Sequence, residues 1–168
     1  TMLESGYDLL QLDDGGFVLT GQSHLANGDI TANYGERDFW IIRTDSLGNI
    51  VWQYSYGGPS FDQPYFIQKW GTRFVAGGYL YQPGSGISGY HALDEAWLLV
   101  VDENGNPLWN RCYGGSGSEF LSDGIVLADG NLLMVGYSSS NDGDLSSNAG
   151  STDGWLMIID STGAVVQS

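Results

Sequence analysis

Basic side chains are scarce in this sequence. Five Lys and Arg stand against 20 Asp and Glu, a formal charge of −15. A field of that sign repels phosphate backbones and anionic lipid surfaces, so nucleic acid is excluded as a partner. The acidity serves solubility, or attracts calcium or cationic partners. Cysteine is nearly absent too. Cys112 is the only one, which excludes an internal disulfide. It lies between Arg111 and Tyr113 in a strand-like run and reads as a buried structural thiol, not a nucleophile. Long apolar runs are missing. A stretch such as LLMV at 132–135 falls far short of the roughly 20 residues that span a bilayer, so no membrane insertion is predicted. No charged segment followed by an apolar one opens the chain, so no signal peptide is visible, which leaves open that one was removed.

What the chain does have is glycine and aromatic surface. Gly accounts for 26 of 168 residues, 42% are apolar and 13% aromatic. That is too apolar for disorder, and the glycines predict many turns between short elements. The length suits one domain, 1–168. Within it one phrase recurs: DFWIIRTDSLGNIVWQYSYGG at 38–58 and EAWLLVVDENGNPLWNRCYGG at 95–115. Trp40 and Trp97 are 57 residues apart, and Trp155 follows 58 later. Asp45, Asp102 and Asp160 keep the same intervals, as do Gly48, Gly105 and Gly163, and Gly21, Gly78 and Gly136. The chain is three copies of one unit, at about 1–58, 59–115 and 116–168.

Each unit reads as four strands. The first is YDLLQL at 7–12, YFIQK at 65–69 or GIVLA at 124–128. After a tight turn comes FVLTGQ at 17–22, FVAGGY at 74–79 or LLMVGY at 132–137, whose Gly lets a neighbouring strand approach closely. A polar loop leads to the third strand, FWIIRT at 39–44, AWLLVV at 96–101 or GWLMII at 154–159. It is apolar on both faces, as in a strand covered on both sides. The turns DSLGN, DENGN and DSTGA carry Asp first and Gly fourth, a type I signature. The fourth strand is IVWQYSY at 50–56, PLWNRCY at 107–113 or AVVQS at the end. The prediction is an all-β chain of three four-stranded antiparallel blades of about 57 residues, part of a β-propeller.

The string GGFVLTGQ, then NGD, then DFWIIRTDSLGNIVWQYSYGG resembles tandem repeats of large secreted proteins of Bacteroidetes, which run roughly DGGYIVAGYTSSNDGD followed by DYWVVKLDSNGNIQWQKSLGG. Unit three is similar in its first half, DGNLLMVGYSSSNDGDLSSNAGSTDGWLMIID, and unit two departs in YLYQPGSGISGYHALDEAW. The resemblance covers essentially the whole chain. It implies a β-propeller segment in an extracellular or outer-surface protein exported by the type IX route. It implies no reaction.

Propellers close with about 4–8 blades, so three leave open sheet faces. Two arrangements satisfy this: the remaining blades of a longer parent chain, or a homodimer closing a six-blade ring.

Candidate site residues lie in the polar loops. Sliding unit one by 115 residues matches Asp29 to Asp144, Asn33 to Asn148 and Asp38 to Asp153. Oxygen-bearing side chains at alternate positions around a Gly suit calcium, and Asp29, Asn141, Asp142, Asp144 and Asp153 are the candidate ligands. The competing reading is that these Asx side chains cap turns. His24 and His91 occupy non-equivalent loop positions, which argues against a metal pair. Trp40, Trp97 and Trp155 recur and read as wedges between blades. The non-repeated Trp70, Tyr81 and Tyr90 are candidates for contact with a protein or glycan. No constellation predicts catalysis. The expected function is a non-catalytic extracellular module for surface display, adhesion or protein or glycan binding. The alternative is a carbohydrate-active enzyme with its site at the propeller axis.

Overall fold

The computed structural model describes residues 4–24, 30, 32–145 and 148–168. All regular structure among them is β. The strands are β1 (Ser5–Gln11), β2 (Phe17–Ser23), β3 (Asp38–Thr44), β4 (Ile50–Tyr56), β5 (Asp62–Trp70), β6 (Arg73–Leu80), β7 (Glu95–Asp102), β8 (Pro107–Tyr113), β9 (Glu119–Val126), β10 (Leu132–Ser138), β11 (Asp153–Ile159) and β12 (Val165–Gln167). They form three four-stranded antiparallel sheets, β1–β4, β5–β8 and β9–β12, each in sequence order. Among the described residues no helix is long and apolar enough to cross a membrane.

Short turns join the first strand of each sheet to the second and the third to the fourth, and longer loops join the second to the third. In each DxxG turn the Asp carboxylate accepts backbone N–H groups, as Asp45 Oδ1 does from Leu47 at 2.9 Å and Asn49 at 2.8 Å. The fourth residue sits at positive φ: Gly48 at 85°, Gly105 at 82° and Gly163 at 86°. Only glycine adopts that region freely. A second glycine column answers to close approach instead. Gly21, Gly78 and Gly136 pair with Trp40, Trp97 and Trp155. A Cβ on these glycines would strike the carbonyls of Ser5, Gln63 and Phe120 in the first strand of the same sheet. That strand is bulged there, with register shifts between Gly6 and Asp8, between Pro64 and Phe66, and between Leu121 and Asp123. The bulge breaks the apolar alternation. The pattern therefore predicts only the second half of β5 and β9, which begin three and five residues earlier than it suggests.

Two apolar cores lie between successive sheets. Val18, Phe39 and Ile41 of the first sheet meet Phe74, Trp97 and Leu99 of the second. Phe66, Leu98 and Val100 of the second meet Met134, Trp155 and Met157 of the third. Strand β7 supplies alternate residues to both cores and is buried from Glu95 through Val101. The expectation of a doubly covered third strand holds there. In β3 and β11 it does not: Ile42 is half-buried and Leu156 is 46% exposed. The outer sheets have a neighbour on one side only. For the same reason Trp97 and Trp155 are buried wedges, whereas Trp40, in the same column, is only partly buried.

The junctions are also stitched by hydrogen bonds. Tyr56 Oη donates to the Gly105 carbonyl at 2.6 Å, and Tyr113 Oη to that of Gly163 at 2.9 Å. Trp52 Nε1 donates to the Glu103 carbonyl at 2.9 Å. β4 and β8 thus each grip the turn of the next sheet.

Candidate functional site

The loops between the second and third strands of each unit decide whether the groove at a sheet junction is open. At the second junction it is closed. Residues 140–145 fold across it, and Leu145 enters the core. Asp144 N–H donates to the Gly114 carbonyl at 2.8 Å. Asp144 Oδ1 takes a hydrogen bond from Arg111 at 3.1 Å, and Oδ2 one from Gly114 N–H at 3.3 Å. Asp142 Oδ1 accepts from Ser116 N–H at 2.8 Å.

At the first junction the divergent loop after β6 takes another course. Ser88 Oγ donates to the Asn110 carbonyl at 2.8 Å, and Cys112 N–H donates to the Ser88 carbonyl at 2.8 Å, so the loop runs along β8. Tyr90 Oη reaches the carbonyls of Tyr81 at 3.0 Å and Leu93 at 2.9 Å and ties the loop to itself. The groove stays open as a cleft of about 530 Å³. Tyr34, Pro59, Pro83 and Ile87 are among the residues around it, together with Tyr56, Trp97 and Asn110. Among the described residues no charged side chain lines it.

Among the described residues, two polar atoms of this lining are buried and without a partner: Trp97 Nε1 and Asn110 Oδ1. The first sheet explains the vacancy. There Trp40 Nε1 donates to Gln53 Oε1 at 2.9 Å. Asn110 stands where Gln53 stands, opposite Leu99 as Gln53 is opposite Ile42, but its side chain is one methylene shorter. Trp155 Nε1 is also unpaired among the described residues. An unmet donor and an unmet acceptor in one cleft are a costly pair, on the order of 1–3 kcal/mol each.

Beside the cleft are two buried acids. Asp38 and Asp62 are fully buried. Asp38 Oδ2 accepts from Tyr34 N–H and Asp62 Oδ2 from Gly58 N–H, both at 2.6 Å. Burial pushes Asp62 up to about 8, with the nearby Asp38 charge adding to it, and pushes Asp38 up to about 6. The arrangement recurs at the second junction as Glu95 and Glu119. Glu95 Oε1 accepts from His91 and Ala92 N–H, both at 2.8 Å, and Glu119 Oε2 from Gly115 N–H at 3.0 Å. Burial also raises Glu95.

The candidate residues from the sequence fare differently. Trp70 is corrected: it is 3% exposed, lies in the second core, and donates from Nε1 to the Gly130 carbonyl at 2.7 Å. Its position at the end of β5, against the neighbouring sheet, makes it a wedge instead of a contact surface. Tyr81 is exposed and Tyr90 is partly packed against the first core. Both belong to the loop that leaves the cleft open. Asp29 lies outside the described residues. Asn141 is exposed, and Asp153 Oδ2 accepts from Ala149 N–H at 2.5 Å. Among the described residues no group of three or more His, Cys, Asp or Glu is placed to hold a metal ion. His91 lies 3.3 Å from Glu95, and no polar contact joins it to His24. Cys112 is buried, and burial pushes its thiol well up.

Sequence reasoning missed the acid pairs and Asn110. The acids carry a signal, since an acid follows each GG by four residues in GGPSFD and GGSGSE. The Gln53-to-Asn110 shortening is visible only once the Trp40 bond is known. No protein-family model matches the chain, and no curated protein gives a significant match.

Proposed function

We propose that the chain is a non-catalytic repeat module, that its three sheets are consecutive blades of a β-propeller, and that the open cleft binds a neutral glycan. The blade reading is supported by the repeat of about 57 residues and by the face-to-face stacking of the sheets. The exported, surface-displayed setting rests on the resemblance of DGNLLMVGYSSSNDGD to Bacteroidetes surface repeats.

The observation that carries the binding reading is the unpaired Trp97 Nε1 and Asn110 Oδ1 in one cleft. A hydroxyl accepts from the first and donates to the second. Tyr34 and Tyr56 add aromatic surface for the apolar faces of a sugar ring. The net charge of −15 and the absence of a basic lining residue disfavour an anionic ligand.

The test is titration with cellotetraose, mannotetraose and chitotetraose, read by calorimetry and tryptophan fluorescence. Binding of one is expected, weakened about 5–10-fold by Trp97→Phe, which keeps an aromatic ring, though a smaller one, and removes the N–H, and by Asn110→Leu. No binding, or binding indifferent to both substitutions, removes the glycan reading. Binding of a proline-rich peptide instead makes the ligand a protein.

Asp38 and Asp62 favour a second reading, an enzyme acting on the same glycan, because their environments split two carboxyl pKa values. Recurrence at the second junction and engagement with backbone N–H groups favour a structural role. Hydrolysis of a bound oligosaccharide, lost in Asp62→Asn, would establish the enzyme.

A further inference from the structure

Both outer faces of the stack are open, and each is the counterpart of a face buried inside it. Leu19, Trp40 and Ile42 hold in the first sheet the register positions that Ala76, Trp97 and Leu99 hold in the second. The second-sheet set is buried against the first sheet, and the first-sheet set is only partly buried. At the far end Leu133, Leu156 and Ile158 hold the positions of Val75, Leu98 and Val100. Those are fully buried against the third sheet, whereas Leu156 is 46% exposed. Leu9 and Ile125 extend the two open faces, 59% and 51% exposed.

A polar position repeats the same logic. Asp8 Oδ1 accepts from Leu9 N–H at 2.8 Å, and its Oδ2 accepts from Ile67 N–H across the first junction at 2.9 Å. Asp123 is the equivalent residue of the third sheet, opposite Val135 as Asp8 is opposite Thr20. Its Oδ1 accepts from Gly124 N–H at 2.7 Å. Its Oδ2 has no cross-sheet donor among the described residues. In the first sheet Leu9 stands where Ile67 stands in the second, opposite Leu19 as Ile67 is opposite Ala76.

We propose that a second copy of this chain covers both faces head to tail. The Leu156 face of each copy packs on the Trp40 face of the other, closing a ring of six sheets with two-fold symmetry. Asp123 Oδ2 then shares the Leu9 N–H of the other copy with that copy's Asp8 Oδ1, at the position where Asp8 Oδ2 holds the Ile67 N–H alone. The new junctions continue the two already formed within the chain, and two identical ones leave no open face. The inference rests on the reading of the sheets as propeller blades.

Sedimentation velocity and light scattering on the whole chain test it, with Ile42→Lys and Leu156→Glu as face variants. Both sites are at least partly exposed in the single chain, so both variants are expected to fold, which far-UV circular dichroism checks. The parent is expected at twice the chain mass. Either substitution is expected to weaken the dimer at least about a hundredfold, since each puts an unpaired charge into both junctions. An equimolar mixture of the two is expected to recover dimer, because one of its junctions is native and the other pairs Lys with Glu.

A monomeric parent overturns the proposal. So does a dimer sensitive to one face only, which would be face-to-face, and so does a mass that grows with concentration, which would be an open filament. A monomer that still loses stability on Trp97→Ala overturns the second copy and keeps the stacked blades. A monomer indifferent to that change removes both.

Discussion

Asp38 of the first sheet and Asp62 of the second are buried together against Gly57, each holding one backbone N–H. Their folded pKa values, about 6 and about 8, lie above the ordinary 3.8. Below pH about 4 both groups are protonated in the folded and unfolded chains alike. As pH rises from there, the unfolded chain releases protons that the folded chain retains. Stability therefore falls from about pH 4 towards pH 8, by on the order of 1 kcal/mol per pH unit for each retained proton. Asp62→Asn keeps the shape and the acceptor for Gly58. It is expected to flatten the dependence of Tm on pH between 5 and 8 and to raise Tm at pH 8. An unchanged slope in calorimetry would contradict the shared-burial account. The turn aspartates act in the opposite sense: Asp45, Asp102 and Asp160 are held below the ordinary value by Asn49, Asn106 and Thr162. Their contribution is lost as pH falls through those lowered values.

Gly57 is required by that pair. A Cβ at this position would collide with the carboxylates of both Asp38 and Asp62. Gly114 stands in the same relation to Glu119 and Glu95. Gly57→Ala is expected to cost about 1–3 kcal/mol in urea unfolding through overpacking. The control is Gly6→Ala, since a Cβ there meets nothing within 4 Å. Equal costs at the two positions would refute the packing explanation.

One column of tryptophans offers a graded test of the stack. Trp97 is 1% exposed, with its ring centroid 4.5 Å from that of Phe39 across the junction. Trp97→Ala is expected to cost about 3–5 kcal/mol in chemical denaturation. Trp40 has the same sequence context but no sheet beyond it, so Trp40→Ala is expected to cost less than half as much in the single chain. Similar losses at both would mean that Trp40 is covered in solution.

These contrasts explain how far the sequence was legible. Repetition predicts three four-stranded sheets because Trp40, Trp97 and Trp155 mark one strand and Gly21, Gly78 and Gly136 the strand beside it. The same repetition makes Trp70 look like a free aromatic. It has no sequence counterpart, yet it fills the corner between β5 and the Gly130 turn. Position relative to a neighbouring sheet, which spacing does not encode, decides burial there. The cleft was half legible: the divergence of YLYQPGSGISGYHALDEAW points to its loop, but the opening depends on where that loop lies against β8. The unpaired donor and acceptor depend on one methylene between Gln53 and Asn110.

The polar loops give the last prediction. Asn33 and Asn148, matched by the sequence, donate from Nδ2 to the carbonyls of Ser23 at 3.3 Å and Ser138 at 3.1 Å. Asp142, Asp144 and Asp153 spend carboxylate oxygens on Ser116, Arg111, Gly114 and Ala149. Calcium at Asp142 and Asp144 would have to displace these donors, and Ca²⁺ needs 6–8 oxygens in return. The loop is therefore expected to keep its stability without the ion: EDTA leaves Tm unchanged, and added Ca²⁺ raises it by no more than Mg²⁺ does. Asp144→Asn, which weakens the Arg111 pair and its hold on the groove, is expected to lower stability by up to about 1 kcal/mol with or without EDTA, because the pair is partly exposed. A Tm that falls on chelation, recovers with Ca²⁺ alone, and stops responding in Asp144→Asn would instead make these carboxylates calcium ligands.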